Sequence, residues 1–154
     1  MSATAKTYDF PVGVRWLAGK RTVVSVRGKD DLEVATPPEF KGGVEGVWSP
    51  EDLFVGSVAS CFTVTLVGIA DRRGLPLRTL AVGGSGVVTQ RRDGRFGFAE
   101  IVLHVELATD PDFEQEAADA ARAAELGCLV ACSVDLPVRV ELTIRTAPLL
   151  ELAL

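Results

Sequence analysis

The feature that most constrains the fold is an uncharged stretch over residues 53–70, LFVGSVASCFTVTLVGIA. Its length reaches the minimum for a transmembrane helix. However, it contains glycine, serine and threonine, and charged residues flank it on both sides. These features favour a helix that is buried on all sides inside a soluble protein.

The residues around this stretch specify where the helix begins and ends. Ser49 is a favourable N-cap, Pro50 suits the first helical position, and Asp52 can complete a capping box with Ser49. Gly74, followed by Pro76, is typical of a helix C-terminus. We therefore predict a helix that begins at Pro50 and ends before Gly74.

The rest of the chain has the pattern of strands and one further helix. Three strand-like segments, YDFPVGVRWLA, RTVVSVRG and DLEVATP, precede the buried helix and predict a meander. Asp93-Gly94 predicts a hairpin between two later strands, and the GGSG sequence at 83–86 is interpreted as a flexible strand bend. Asp110 is the expected cap of a second helix that runs to about Cys132, before a final strand, PVRVELTIRT. This order predicts an α+β fold with antiparallel sheets, in a single domain over residues 1–154.

Composition excludes some classes of function. The net charge of −5 and the scattered basic residues argue against a nucleic-acid partner. The first ten residues lack the apolar core of a signal peptide, which predicts a cytoplasmic protein with no membrane association. In that reducing compartment, three cysteines indicate catalysis or redox chemistry rather than structural disulfides.

Cys61 lies within the uncharged stretch, either as a packing residue or as a nucleophile in a dry pocket. The segment SPEDLFVGSVASCF, with GCLVACSVDLPV placing a second cysteine 67 residues after Cys61, resembles the OsmC/Ohr family of hydroperoxide-reducing proteins. The matching residues are Pro50, Glu51, Leu53, Ala59, Cys61, Phe62, Cys128, Val130, Pro137 and Val138. The chain departs from the family pattern where Leu129 replaces a usual proline and Ala131 a usual serine.

The resemblance implies a thiol-dependent peroxidase that reduces organic hydroperoxides. Cys61 would form a sulfenic acid and Cys128 would resolve it as a Cys61–Cys128 disulfide. Cys132 lies one helical turn after Cys128 and could compete for Cys61 if the helix continues. The family implies an intertwined homodimer with two long central helices and a dithiol reductant such as a lipoylated protein. No metal or organic cofactor is expected.

Glu51 is the third catalytic residue that the resemblance implies, together with an arginine near the N-terminus. Ten residues of helix separate Glu51 from Cys61, a rise of about 15 Å, so the two side chains cannot meet within one helix. A catalytic Glu51 would therefore serve the Cys61 of a second chain; otherwise it only stabilises the helix start. The arginine position falls on Arg15, Lys20 or Arg21.

Two alternatives to a peroxidase stay open: a non-catalytic protein that binds a small ligand, and a redox-sensing stress protein. A pocket beside Cys61 is expected from the helical stripe of Phe54, Ser57, Val58 and Thr65. His104, the sole histidine, is interpreted as a solvated or hydrogen-bonded strand residue. Trp16 and Trp48 are expected to be packing residues or, near the predicted site, to line an apolar pocket for bulky substrates.

Overall fold

The computed structural model describes residues 5–146. The chain divides into two compact units, Met1–Leu53 and Phe54–Leu154, and the division falls within the first helix. The single domain over residues 1–154 stays a prediction.

The first unit contains a three-stranded antiparallel sheet. Strands β1 (Gly13–Ala18), β2 (Arg21–Ser25) and β3 (Leu32–Ala35) lie in sequence order, which confirms the predicted meander. The β1–β2 turn contains Gly19 at φ 54°, a left-handed conformation that glycine adopts without a steric penalty.

Helix α1 (Pro50–Arg73) has the predicted boundaries. The Ser49 amide donates to the Asp52 carboxylate at 2.9 Å, and the Asp52 amide donates to Ser49 Oγ at 3.0 Å. These reciprocal bonds are the predicted capping box. Gly74, at φ 66°, follows the helix end.

Helix α1 is not buried on all sides within one chain, so that prediction is wrong for the monomer. By length and composition α1 is apolar enough to cross a membrane. Within this chain, 28% of its 18-residue apolar window is buried. One face packs in the core of the second unit through Val58, Phe62, Leu66, Ile69 and Ala70. Another face is exposed and consists of Ser57, Ser60, Val64 and Val67.

The second unit contains a three-stranded mixed sheet. Strands β4 (Leu77–Gln90) and β5 (Phe96–Thr109) form the predicted antiparallel hairpin. Strand β6 (Val138–Thr146) pairs with β5 in parallel. The α+β class is confirmed, but the prediction of antiparallel sheets is wrong for β6. A helical connection between β5 and β6 returns the chain to the end where β5 starts, which permits a parallel pair.

The glycines at 83–86 do not bend β4. Pairing with β5 is continuous from Gly83 to Gly86, so the predicted flexible bend is wrong. A Cβ atom on Gly84 would lie 2.9 Å from Val55 Cγ1, and one on Gly86 would lie 2.7 Å from Val55 Cγ2. The glycines therefore let α1 approach the sheet closely.

The second helical region is broken at Cys128. A 3₁₀ turn (Pro111–Phe113) leads into α2 (Glu114–Gly127), and the short helix α3 (Leu129–Cys132) follows. Cys128 itself is extended, with φ −68° and ψ 105°. The predicted continuous helix to Cys132 is therefore wrong, as is a second long helix that carries Cys128.

Asp110 does not cap the second helical region. Its carboxylate accepts two hydrogen bonds from Arg78, at 2.9 and 2.8 Å, and makes no cap bond. Because a bidentate guanidinium occupies both oxygens, the carboxylate is held away from the helix amides. Helix α2 packs through an alanine face, formed by Ala117, Ala120, Ala121 and Ala124.

Candidate active site

Cys61 is half-buried on α1, next to the break between α2 and α3. Burial alone raises the pKa of its thiol. Hydrogen bonds from the Val130 amide, the Cys128 thiol, the Thr65 hydroxyl and the Leu129 amide outweigh that effect, so the pKa of Cys61 lies below its ordinary value. These donors stabilise a thiolate.

Cys128 is the resolving candidate and has the opposite electrostatic environment. Its side chain is 1% exposed, and burial raises the pKa of its thiol. Interaction with Cys61 raises this pKa further, and the Val58 carbonyl is a second, weaker acceptor at 3.9 Å. Of the two thiols, Cys61 is therefore the one that loses its proton at the lower pH.

Cys132 is exposed and lies one turn beyond Cys128. Its Sγ donates to the Leu126 carbonyl at 3.4 Å. It is Cys128, and not Cys132, that contributes a hydrogen bond to Cys61.

Cys128 and Cys132 also line a shared cavity of about 170 Å³. Its other lining residues are Phe62, Leu103, Glu125, Ala131, Leu136, Val138 and Val140. Among the lining residues within 5–146, most are apolar and Glu125 is the charged one. Cys61 is not among the lining residues.

Glu51 lies in the first turn of α1. Its Oε2 is buried and has no hydrogen-bond partner among residues 5–146. Because α1 is continuous from Pro50 to Arg73, the ten-residue separation from Cys61 corresponds to about 15 Å of helical rise. The structure therefore does not bring Glu51 to the Cys61 of the same chain.

The three candidate cations differ in their partners. Arg21 forms an ion pair with Glu33 across β2 and β3. Lys20 donates to the Lys41 carbonyl. Arg15 lies in the exposed strand β1. None of these contacts involves the buried Glu51 oxygen.

The other singled-out residues lie outside this cluster. His104 is exposed, with Nδ1 3.0 Å from a Glu141 carboxylate oxygen, as expected of a solvated strand histidine. Trp16 is 69% exposed and Trp48 is 55% exposed, so their predicted packing role is wrong within one chain. Across residues 5–146, no three His, Cys, Asp or Glu side chains are arranged to hold a metal ion.

Comparison with known proteins agrees with this architecture. The sequence matches the family described as OsmC-like protein over residues 43–143. The chain belongs to the OsmC-like family. It is 23% identical over 140 residues to the uncharacterized protein YmaD of Bacillus subtilis, with 88% of this chain and 92% of YmaD covered.

Solved structures show the same OsmC-like fold. An OsmC-like protein of unknown function from Vibrio cholerae has a TM-score of 0.81 and 17% identity, covering 89% of this chain and all of that one. An organic hydroperoxide resistance protein from Elizabethkingia anophelis has a TM-score of 0.75 and 21% identity, covering 94% of this chain and all of its own. The α+β class inferred from the sequence is therefore that of OsmC-like proteins.

Part of the surroundings of Cys61 follows from the sequence. Thr65, expected in the pocket stripe, does donate to Cys61. Val58 instead packs fully in the core. The amides of Leu129 and Val130 were missed, because backbone donors are not visible in a pattern of side chains. One signal was present: Leu129, unlike the usual proline of this family, has an N–H to donate.

Proposed function

We propose that this OsmC-like protein is a cysteine-based peroxidase that reduces organic hydroperoxides. The opposite pKa shifts of two neighbouring thiols, Cys61 lowered and Cys128 raised, are the observation that carries the proposal. A peroxidatic cysteine must be a thiolate to attack the peroxide oxygen. A resolving cysteine reacts only after the sulfenic acid has formed, so it can stay protonated until then. The name of the Elizabethkingia anophelis relative supports the substrate class.

The reaction proceeds in two steps on these thiols. The Cys61 thiolate attacks one peroxide oxygen, the O–O bond breaks, and the organic group leaves as an alcohol after protonation. Cys61 is then a sulfenic acid. Cys128 attacks the Cys61 sulfur, water leaves, and the Cys61–Cys128 disulfide forms. A dithiol, such as a lipoylated protein in the reducing cytoplasm, returns both cysteines to thiols.

The apolar side chain of a residue that contacts Cys61 favours an organic substrate. Leu129, whose amide donates to Cys61, is 69% exposed. An alkyl or aryl group bound beside the sulfur would cover this apolar surface, which hydrogen peroxide cannot do.

The proposed working form is a homodimer in which Glu51 serves the Cys61 of the partner. Glu51 Oε2 is buried without a hydrogen-bond partner among residues 5–146, which supports this role, because such a carboxylate oxygen is costly to bury. Exposed apolar residues also suggest a missing partner chain. On α1 these are Val64 and Val67, and alternate positions near the N-terminus contribute Tyr8, Phe10, Val12, Val14 and Trp16.

The test follows the thiols after one equivalent of cumene hydroperoxide. We use a Cys132→Ser background, so that only two cysteines remain. Peptide mapping should show a Cys61–Cys128 disulfide. Cys61→Ser should abolish peroxide consumption, and Cys128→Ser should leave a sulfenic or sulfinic acid on Cys61. Absence of the Cys61–Cys128 bond would contradict the proposed mechanism.

Turnover then separates an enzyme from the two alternatives. With excess dihydrolipoamide, a peroxidase consumes many equivalents of cumene hydroperoxide per chain. A redox sensor that is not re-reduced by the dithiol consumes about one, and a ligand-binding protein consumes none.

A further inference from the structure

Cys128 occupies a position between two different environments. On one side it interacts with Cys61, and on the other it lines the cavity that it shares with Cys132. Because Cys128 is 1% exposed, a Cys61–Cys128 disulfide would leave that sulfur hidden from a protein-sized reductant. Cys132, in contrast, is exposed at the same cavity.

We propose that Cys132 reacts with the Cys61–Cys128 disulfide by thiol–disulfide exchange. The product is a Cys128–Cys132 disulfide, which includes the exposed Cys132 and can therefore be reached by a reductant. The inference rests on the proposed peroxidase function. Cys132 loses its proton to solvent, and its thiolate attacks the Cys128 sulfur. The Cys61–Cys128 bond breaks, the Cys128–Cys132 bond forms, and Cys61 leaves as a thiolate, so that no further oxidant or reductant is consumed.

The backbone allows the second bond. The Cys132 amide donates to the Cys128 carbonyl at 2.9 Å, which is the spacing of one helical turn. One turn separates Cα atoms by about 6 Å, within the range that disulfides span. In the reduced protein the Cys132 thiol bonds only the Leu126 carbonyl among described contacts, at 3.4 Å, and a weak sulfur bond of this kind is readily given up.

The direction of exchange follows from the leaving group. Thiol–disulfide exchange expels the thiol of lower pKa more readily. Hydrogen bonds from the Val130 and Leu129 amides lower the pKa of Cys61 and stabilise it as the departing thiolate. Exchange also restores Cys61 for another attack on peroxide before the dithiol has acted.

The test counts fast peroxide consumption without any reductant. Wild-type protein should consume about two equivalents of cumene hydroperoxide per chain, because exchange frees Cys61 for a second oxidation. Cys132→Ser should consume about one equivalent of cumene hydroperoxide, because without the Cys132 thiol the Cys61–Cys128 disulfide cannot undergo exchange. Rapid acid quenching of wild type should show Cys61–Cys128 first and Cys128–Cys132 later. Cys132→Ala is a second variant and should behave as Cys132→Ser does.

Cys61→Ser is the matched control, because it retains both cysteines of the final bond. If it forms Cys128–Cys132 as fast as wild type, the two thiols oxidise directly and the relay is wrong. A wild-type protein that keeps Cys61–Cys128 and consumes one equivalent also overturns the relay, but leaves the peroxidase proposal intact. A Cys132→Ser protein that forms no Cys61–Cys128 bond overturns the peroxidase proposal itself.

Discussion

Cys61 receives its thiolate-stabilising hydrogen bonds from backbone amides and from neutral side chains within the described chain. Val130 and Leu129 contribute amides, while Cys128 and Thr65 contribute a thiol and a hydroxyl. Together they outweigh the desolvation that by itself raises the pKa of Cys61. A cation from a partner chain would add to this arrangement, since an adjacent positive charge lowers a thiol pKa further.

Replacing Leu129 by proline should weaken the Cys61 thiolate. Proline has no N–H, so Leu129→Pro removes one donor and raises the pKa of Cys61. The pH profile of Cys61 alkylation by iodoacetamide, followed by peptide mapping, should shift to higher pH. The rate of Cys61 alkylation at neutral pH should be several-fold lower.

The backbone around Leu129 suits this substitution. Leu129 begins α3 and Cys128 before it is already extended, as proline requires of its neighbour. Leu129→Ala is the matched control, because it keeps the N–H and should leave the profile in place. Equal profiles for the two variants would show that the Leu129 amide does not matter.

At the scale of elements, two features place the thiols. Cys128 is buried in the core at the point where α2 ends, and α3, which follows it, contributes the Leu129 and Val130 amides to Cys61. The glycines of β4 let α1, which carries Cys61, pack closely on the sheet. The site therefore depends on where α2 ends and on glycines of β4, which have no side chain to hold α1 away.

Gly86→Ala should destabilise the protein by about 1–3 kcal/mol, the usual effect of overpacking. Its new Cβ would lie 2.6 Å from Phe98 Cε1 and 2.7 Å from Val55 Cγ2, so these side chains must move. Urea unfolding of the variant measures the loss.

Gly83→Ala is the control on the same strand, because its Cβ would meet nothing closer than His104 at 4.0 Å. It should be nearly neutral. The double variant Gly86→Ala/Val55→Ala should recover part of the loss if the clash with α1 is its cause. No recovery, with Gly83→Ala equally destabilised, would point instead to a general intolerance of β4 to side chains.

At the scale of the whole molecule, the exposed apolar residues of α1 and of the N-terminal segment argue for a homodimer. Sedimentation should show a dimer down to low micromolar concentration. A stable folded monomer there would contradict both the dimer and the role of Glu51 in a partner's site.

Mixing two inactive variants tests that role directly. If Glu51 acts on the partner's Cys61, a heterodimer of Glu51→Ala and Cys61→Ser holds one intact site. Random reassembly makes about half of the dimers mixed, so activity should return to roughly a quarter of wild type. The background is lower by about 10²–10⁴, the usual loss on removing a catalytic group. If Glu51 acts within its own chain, mixing restores nothing.

A third result would identify Glu51 as a structural residue. Glu51→Ala alone would then keep near-normal peroxide turnover and lose only about 0.3–1 kcal/mol of stability at the helix start. Steady-state peroxide consumption of each variant and of the mixture distinguishes the three cases.

Local chemistry determined what could be predicted from the sequence. The ends of α1 depend on Ser49, Pro50, Asp52 and Gly74, whose effects act within one turn of helix. The β4–β5 hairpin depends on Asp93-Gly94 in the same way. The cysteine pair was predicted from its resemblance to OsmC-like proteins, and a hydrogen bond from the Cys128 thiol contributes to the lowered pKa of Cys61.

Only the tertiary structure decided features that depend on residues far apart in the chain. The parallel pairing of β6 depends on the helical connection, which returns the chain to the end of the sheet where β5 starts. Asp110 does not cap the helical region because its carboxylate binds Arg78, 32 residues earlier in the chain. The tight fit of Val55 against Gly86 and the amides that reach Cys61 from α3 are likewise contacts across elements. Such contacts have no local sequence signature, because a packed core is defined by shape and not by order along the chain.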